Sequence, residues 1–445
     1  MKLIKLNPVE ILAVGFFVLI IIGAFLLSLP ISSAEGKATN FLDSLFTSTS
    51  AVCVTGLVTL DTGTHWSYFG KTIIIVLIQI GGIGFMSFAT LISLILGKKI
   101  SLKERLIMQE SMNTFSIQGL VKLAKYVLIF TFSIEFLGGL FLSSQFIPEY
   151  GLLKGSYYSL WHSISAFCNA GFDLFGNFTS LTAYADNPVV ILTIAALIVI
   201  GGLGFIVWSD IFNFRKTKRL SVHSKIVITI TAILIAGGAL LMLLFELKNP
   251  ETLGKLTNGE KVLNALFASI TPRTAGFNSI SIEGMTTSGI FLTIILMFIG
   301  GSSGSTAGGT KVTTIGVLFM TLVAVAKGRE DTEVFKRRIP KDIIYKAFTI
   351  VTIGLFIVIA VTMILSITEP GASIESLLFE TTSAYGTVGL SAGLTGNLSF
   401  VGKIVLIFTM YCGRVGPLTV VLAVISRRKK NGNGVKYPED RIIVG

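Results

Sequence analysis

One twelve-residue pattern occurs four times in this chain, and no other feature limits its fold as strongly. The copies read FTSTSAVCVTGL (Phe46–Leu57), WHSISAFCNAGF (Trp161–Phe172), LFASITPRTAGF (Leu266–Phe277) and FETTSAYGTVGL (Phe379–Leu390). Their shared glycines, Gly56, Gly171, Gly276 and Gly389, stand 115, 105 and 113 residues apart. Three copies carry Ser-Ala six and five positions earlier (Ser50-Ala51, Ser165-Ala166, Ser383-Ala384), whereas the third has Ile270-Thr271-Pro272-Arg273 in that region. A second motif echoes the first. The runs starting at Gly81 (GGIG), Gly201 (GGLG), Gly300 (GGSSG) and Gly413 (GRVG) begin 25, 30, 24 and 24 residues after the shared glycine. Two motifs in register in every copy predict a fourfold structural repeat.

Each repeat is built for a bilayer. Hydrophobic residues form 52% of the chain and charged residues 13%, about half the ~25% charged content typical of soluble domains. A soluble enzyme and a disordered chain are thereby excluded. One apolar span precedes each pattern, at Val9–Leu29, Leu120–Phe146, Ile226–Leu247 and Ile343–Ile367; a second follows, at Gly70–Leu96, Val189–Phe212, Ile290–Val325 and Val401–Ile425. Each is near or above the ~20 residues that cross the hydrocarbon core. The expected fold is an all-α polytopic membrane protein of four membrane–pore-loop–membrane repeats, with eight transmembrane helices and four re-entrant pore helices around one central pore. The repeats run over 7–99, 118–214, 222–327 and 341–427, and a C-terminal tail covers 428–445. The basic clusters Lys98–Arg105, Arg215–Lys225, Lys327–Lys341 and Arg427–Lys430 fall on one side with Lys2 and Lys5. The positive-inside rule makes that side, and both termini, cytoplasmic. The net charge of +12 is then topological and not a nucleic-acid signal. Three cysteines and three histidines show neither a disulfide framework nor metal-ligand spacing. No catalytic residue and no covalent cofactor are expected.

The short stretch between two spans cannot cross the membrane, so it re-enters it. Backbone that leaves the helix at membrane depth must be buried in protein or line a wet cavity. Four such strands meeting on one axis can present rings of carbonyl oxygens that replace the hydration shell of a cation. The candidate filter strands are Val54-Thr55-Gly56, Asn169-Ala170-Gly171, Thr274-Ala275-Gly276 and Thr387-Val388-Gly389. Glycine is needed where a carbonyl must turn inward through a φ that other residues resist. A lone glycine in a membrane helix more often serves packing; recurrence at one place in all four copies favours the filter. The downstream glycine motifs are expected to keep the packing role.

The third repeat differs. Its second span is interrupted by Gly300, Gly301, Ser302, Ser303, Gly304, Ser305, Thr306, Ala307, Gly308 and Gly309. The phosphate-loop order GxxxxGK[ST] is absent. This composition favours helix poorly, so an intramembrane gating loop beneath the filter is expected. Arg414 lies inside the last span, where an unpaired charge costs several kcal/mol, and about 20 Å of helix separates it from Arg427. It is expected to form an electrostatic barrier with that loop. Glu135 sits mid-span with no evident partner. Arg273 is expected to meet an acid such as Glu380, and Asp43, Asp61, Asp173 and Asp186 to lie on the outer side.

These residues resemble the Trk/Ktr/HKT superfamily of potassium translocators, and within it the KtrB type, the membrane subunit of bacterial Ktr systems. The four-unit plan, one filter glycine per unit, the Pro272–Phe277 stretch, the Gly/Ser-rich loop and the arginine of the last span match over essentially the whole chain. The resemblance implies K+ uptake driven by the electrochemical gradient through a filter at Gly56, Gly171, Gly276 and Gly389, with a gate at Gly300–Gly309 and Arg414. It implies a lipid-embedded homodimer in a bacterial plasma membrane, seated on an octameric cytosolic ring of KtrA-type nucleotide-binding subunits. ATP and ADP would act on that ring and not on this chain, and Na+ would activate uptake. In plant relatives serine at the first filter glycine accompanies Na+ preference; Gly56 implies K+ here. The alternative is an alternating-access secondary cation transporter, which also uses repeats and broken helices.

Overall fold

The computed structural model describes residues 8–84, 105–107, 109 and 120–416. Its first group of helices is α1 (Pro8–Ser28), α2 (Phe41–Cys53) and α3 (Tyr68–Ile83). The second is α4 (Leu120–Tyr150), α5 (Leu152–Phe167), α6 (Pro188–Leu203) and α7 (Phe205–Thr217). The third is α8 (Val222–Glu246), α9 (Asn258–Ile270), α10 (Thr287–Phe298) and α11 (Val312–Ala326), followed by a hairpin of β1 (Glu333–Val334) and β2 (Arg337–Arg338). The last is α12 (Lys341–Thr368), α13 (Ile374–Gly386) and α14 (Phe400–Val415). The tail at 428–445, the cluster Arg427–Lys430 and nearly all of Lys98–Arg105 lie outside the described residues.

The long helices α1, α4, α8 and α12 have 21, 31, 25 and 28 residues, enough at 1.5 Å per residue to cross a ~30 Å core. They match the expected first spans to within four residues at either end. Their outer faces expose Phe17, Phe25, Phe141, Phe356 and Ile367, while α2 buries Ser44, Thr47, Ser48, Thr49 and Ser50 completely. Apolar side chains outside and hydroxyls inside invert the arrangement of a soluble protein, as a lipid solvent requires. Three short helices are fastened to their long neighbours in the same way. Ser48 Oγ donates to Ile20 O (2.7 Å), Ser163 Oγ to Glu135 O (2.6 Å) and Ser269 Oγ to Ile235 O (3.0 Å).

The second spans differ from expectation. None continues as one helix through its glycine motif. α3, α6 and α14 each have 16 residues and stop at Gly84, Gly204 and Gly416, whose φ values are 91°, 92° and 96°. α6 and α7 meet at a 91° bend across Gly204. α10 has only 12 residues before the loop that leads to α11. Among the described residues four helices are long and apolar enough to span alone, and the α6–α7 pair is a broken fifth. The last glycine of each motif therefore ends a helix; packing is the role of the first two.

The last and first groups close on each other. Lys403 Nζ meets Asp43 Oδ1 at 2.7 Å, and Tyr411 OH donates to Ala13 O at 2.7 Å. Asp43 is thereby a structural partner and not a free outer charge.

Candidate functional site

The four patterned segments end in the same backbone form. Directly after each short helix comes a non-glycine residue in left-handed conformation: Val54 (φ 58°), Asn169 (60°), Thr274 (71°) and Thr387 (49°). Three of these are β-branched, for which positive φ is a genuine outlier costing about 1–3 kcal/mol. Two positions later the shared glycines have φ of 93°, 70°, 81° and 96°, while the residues between are not positive. Alternation between mirror-related regions turns successive carbonyls to the same side. The Ser-Ala pair explains how the strand is held: Thr55, Ala170 and Val388 N donate to the carbonyls of Ser50, Ser165 and Ser383, each at 2.8 Å. The hydroxyls of Ser50 and Ser383 accept from Gly56 N (3.0 Å) and Gly389 N (3.1 Å), and Ser165 Oγ donates to Phe172 O (2.7 Å). In the third copy Thr271, one position later, takes over and donates to Phe277 O (2.5 Å).

The strands form a closed ring. A Cβ on Gly171 would lie 2.7 Å from Ala275 O; on Gly56, Gly276 or Gly389 it would overlap the carbonyl oxygen of Ala170, Val388 or Thr55. Each glycine abuts the next copy's strand, and the fourth abuts the first. Among the described residues no donor bonds to the carbonyls of Thr55, Ala170, Ala275 or Val388. A buried carbonyl left without a donor costs about 1–3 kcal/mol, and such groups in a native protein call for a specific reason. Asn169 and Thr274 hydrogen-bond through their side chains at 3.2 Å at the inner end of the ring.

Above the ring lies a cavity of about 950 Å³ with the four glycines on its floor. Asp61, Asp173, Glu251 and Glu283 line it against one cation, Lys255. Of the four expected outer aspartates, Asp61 and Asp173 are placed there; Asp186 is not. Glu251 and Glu283 follow no pattern of the repeat and were not legible from it. Burial, with Asp61 adding to it, pushes the Asp173 carboxyl up to about 7 against the Phe175 amide that it accepts.

Below the ring runs the loop from Ile299 to Lys311, pinned to three of the four groups by its backbone. Ser302 N donates to Gly202 O (2.9 Å), Gly309 N to Gly413 O (3.2 Å) and Gly300 N to Thr310 O (2.8 Å). Thr306 Oγ1 donates to Phe167 O (3.2 Å), at the end of α5. Arg414 bonds Thr306 O and Gly81 O, and reaches Gly82 O at 3.4 Å, which joins the loop to the first group. Gly300, Gly301, Ser302, Thr306, Ala307, Gly308 and Gly309 are buried, and Ser303, Gly304 and Ser305 are half-buried.

Two expectations about charges are corrected. Glu380 accepts from Ser391 Oγ (2.5 Å), Ala392 N (3.1 Å) and Thr395 Oγ1 (2.6 Å); Arg273 instead donates to Thr231 Oγ1 (3.3 Å). Glu135 does have a partner: Gln79 Nε2 donates to both its oxygens, at 2.9 and 3.1 Å. The polar Gln79 inside an apolar span was the available sign. Lys311, the one charged residue between Thr287 and Ala326, is a further site residue to which the sequence pattern assigned no role.

Residues 7–432 match the sequence profile of the family described as TrkH, cation transport protein. The chain belongs to that family. Its members transport ions, so this is a transport protein and not an enzyme. Similar relatives include the potassium/sodium uptake protein NtpJ of Enterococcus hirae, 46% identical over 99% of this chain and 98% of that one. The Ktr system potassium uptake protein B of Bacillus subtilis is 44% identical over 100% and 98%, and that of Vibrio alginolyticus 38% identical over 98% and 94%. The crystal structure of the potassium transporter TrkH from Vibrio parahaemolyticus shares the fold, with a TM-score of 0.73 over 95% of this chain and 86% of that one at 20% identity.

Proposed function

We propose that this chain takes up K+ across a bacterial plasma membrane through the ring of backbone carbonyls. The four element groups then act as four membrane–pore-loop–membrane repeats around one pathway, with both termini cytoplasmic. The observation that carries this reading is the closed ring in which Thr55, Ala170, Ala275 and Val388 offer buried carbonyls that receive no donor among the described residues. A dehydrated monovalent cation satisfies several such dipoles without the trapping that a carboxylate would cause. The acidic cavity above concentrates cations at the ring. The glycine-rich loop and Arg414 form the gate below, because they lie across the inner side of the ring and add a positive charge there. An inside-negative potential supplies about 2.3 kcal/mol per elementary charge per 100 mV. The names of the relatives support K+ as cargo, with Na+ as an activator. Assembly as a homodimer on a KtrA-type nucleotide-binding ring belongs to the same proposal.

The ring also argues against alternating access, which needs a site that opens to either side by large displacement of repeats; here each strand is wedged against the next. The test is Rb+ uptake into proteoliposomes under an imposed potential, with K+, Na+ or Li+ competing, the chain being supplied alone and with its nucleotide-binding partner and ATP. Potential-driven uptake competed best by K+ is expected. Uptake driven only by a co-substrate gradient would overturn the proposal.

A further inference from the structure

Lys311 closes the loop beneath the ring. Its Nζ donates to Ala307 O at 2.6 Å and Gly308 O at 3.2 Å. Arg414 holds the adjacent carbonyl of Thr306. Three consecutive loop carbonyls are thus engaged by cationic side chains, and among the described residues neither cation forms an ion pair with a carboxylate. A membrane-buried ammonium whose partners are carbonyls alone is in the chemical situation of a dehydrated monovalent ion.

A second observation points to the same place. Thr387, the first residue of the fourth ring strand, has a fully buried hydroxyl that finds no hydrogen-bond partner. It packs directly on Gly308, so closely that a Cβ there would overlap Thr387 Oγ1. The unsatisfied hydroxyl at the inner end of the ring and the carbonyls that hold the Lys311 ammonium therefore lie on either side of one residue.

We propose that the carbonyls of Ala307 and Gly308, with the Thr387 hydroxyl, form an inner monovalent-cation site, and that the Lys311 ammonium fills it as a tethered ion. A permeating cation enters that site only when Lys311 leaves it. The primary ammonium and a dehydrated K+ are similar in size and bind the same oxygens, so the lysine competes with the cargo directly, whereas Arg414 acts as a fixed charge beside the path. This inference rests on the ring being the K+ pathway.

The test compares wild-type protein with Lys311→Ala, Lys311→Gln and Lys311→Arg, all as full-length chains in proteoliposomes, by K+-competed Rb+ uptake under an imposed potential. Both neutral variants are expected to raise uptake by about tenfold or more, the shift of a gate held mostly shut, with the K+-over-Na+ competition ratio unchanged. Lys311→Arg is expected to stay within about twofold of wild type, because it keeps the charge at the loop. Millimolar n-butylammonium on the loop side is then expected to return Lys311→Ala towards the wild-type rate, since it refills the space with an ammonium. It should leave Lys311→Gln fast, where the amide occupies that space. Wild-type-like or slower uptake by both neutral variants, with melting temperature and competition ratio intact, would overturn the tethered-ion site while leaving the K+ pathway standing. So would equal sensitivity of the Ala and Gln variants to n-butylammonium. Absence of K+-competed uptake in every variant, wild type included, would overturn the pathway and this inference together.

Discussion

The ring and the loop beneath it are both made of buried backbone carbonyls, yet they are satisfied in opposite ways. In the ring, Thr55, Ala170, Ala275 and Val388 point oxygens to a common axis and receive no donor among the described residues. In the loop, Thr306, Ala307 and Gly308 have oxygens of the same kind held by Arg414 and Lys311. The same dipoles attract a mobile cation in one layer and are neutralised by tethered cations in the next. Selectivity and closure are thereby separated along one path, and substitutions in the two layers should have opposite signs.

The strongest way to break the comparison is to fill the ring. Gly276→Val places a branched side chain against Val388 O at a residue with φ of 81°, and Rb+ uptake should fall by more than about a hundredfold, since neither the clash nor the φ can be relieved locally. Next is the loop layer: Arg414→Ala should raise uptake by about tenfold, as a buried barrier charge is removed. Equal or lower flux in folded protein would assign Arg414 to packing. Gly56→Ser should erode K+-over-Na+ discrimination by about tenfold, or ~1.4 kcal/mol, because the ring must widen to admit a Cβ; unchanged competition ratios would remove Gly56 from the filter. Ser383→Ala removes the acceptor of Gly389 N and should lower stability to thermal unfolding by about 1 kcal/mol, with a modest loss of selectivity. The smallest effect concerns the cavity. Asp173, raised to about 7 by burial, is charged above that pH and neutral below it. Apparent Rb+ affinity should therefore weaken by about twofold as pH falls through 7, and Asp173→Asn should flatten that dependence.

Much of this was legible in the sequence, for a physical reason. The ring is built from local backbone geometry, so each repeat had to spell it in its own residues: a helix end, a strained residue, and a glycine two positions later. The long helices were equally clear, Ile343–Ile367 being expected and Lys341–Thr368 found, because an uninterrupted apolar run fixes a span. The second helices were misread as continuous. Apolar composition alone does not distinguish a straight helix from one broken at Gly204, where the positive φ of a single residue turns the chain by 91°. Side-chain partners were the least legible. Gln79 and Glu135 are 56 residues apart, and the acid stands where α1 and α8 place Ile20 and Ile235, so the repeat offered no template for it. Arg273 and Glu380 carry opposite charges yet turn to hydroxyls and amides nearby. Such choices depend on how the helices of different repeats meet, and periodicity within one repeat does not encode that.

The most direct test is the anomalous scattering of Rb+ in crystals of the protein grown with that ion in place of K+. A peak on the axis of the ring, within coordination distance of the Thr55, Ala170, Ala275 and Val388 oxygens, is expected. Anomalous density confined to the outer cavity beside Asp61 and Asp173, with none in the ring, would contradict the claim that these carbonyls coordinate the transported ion.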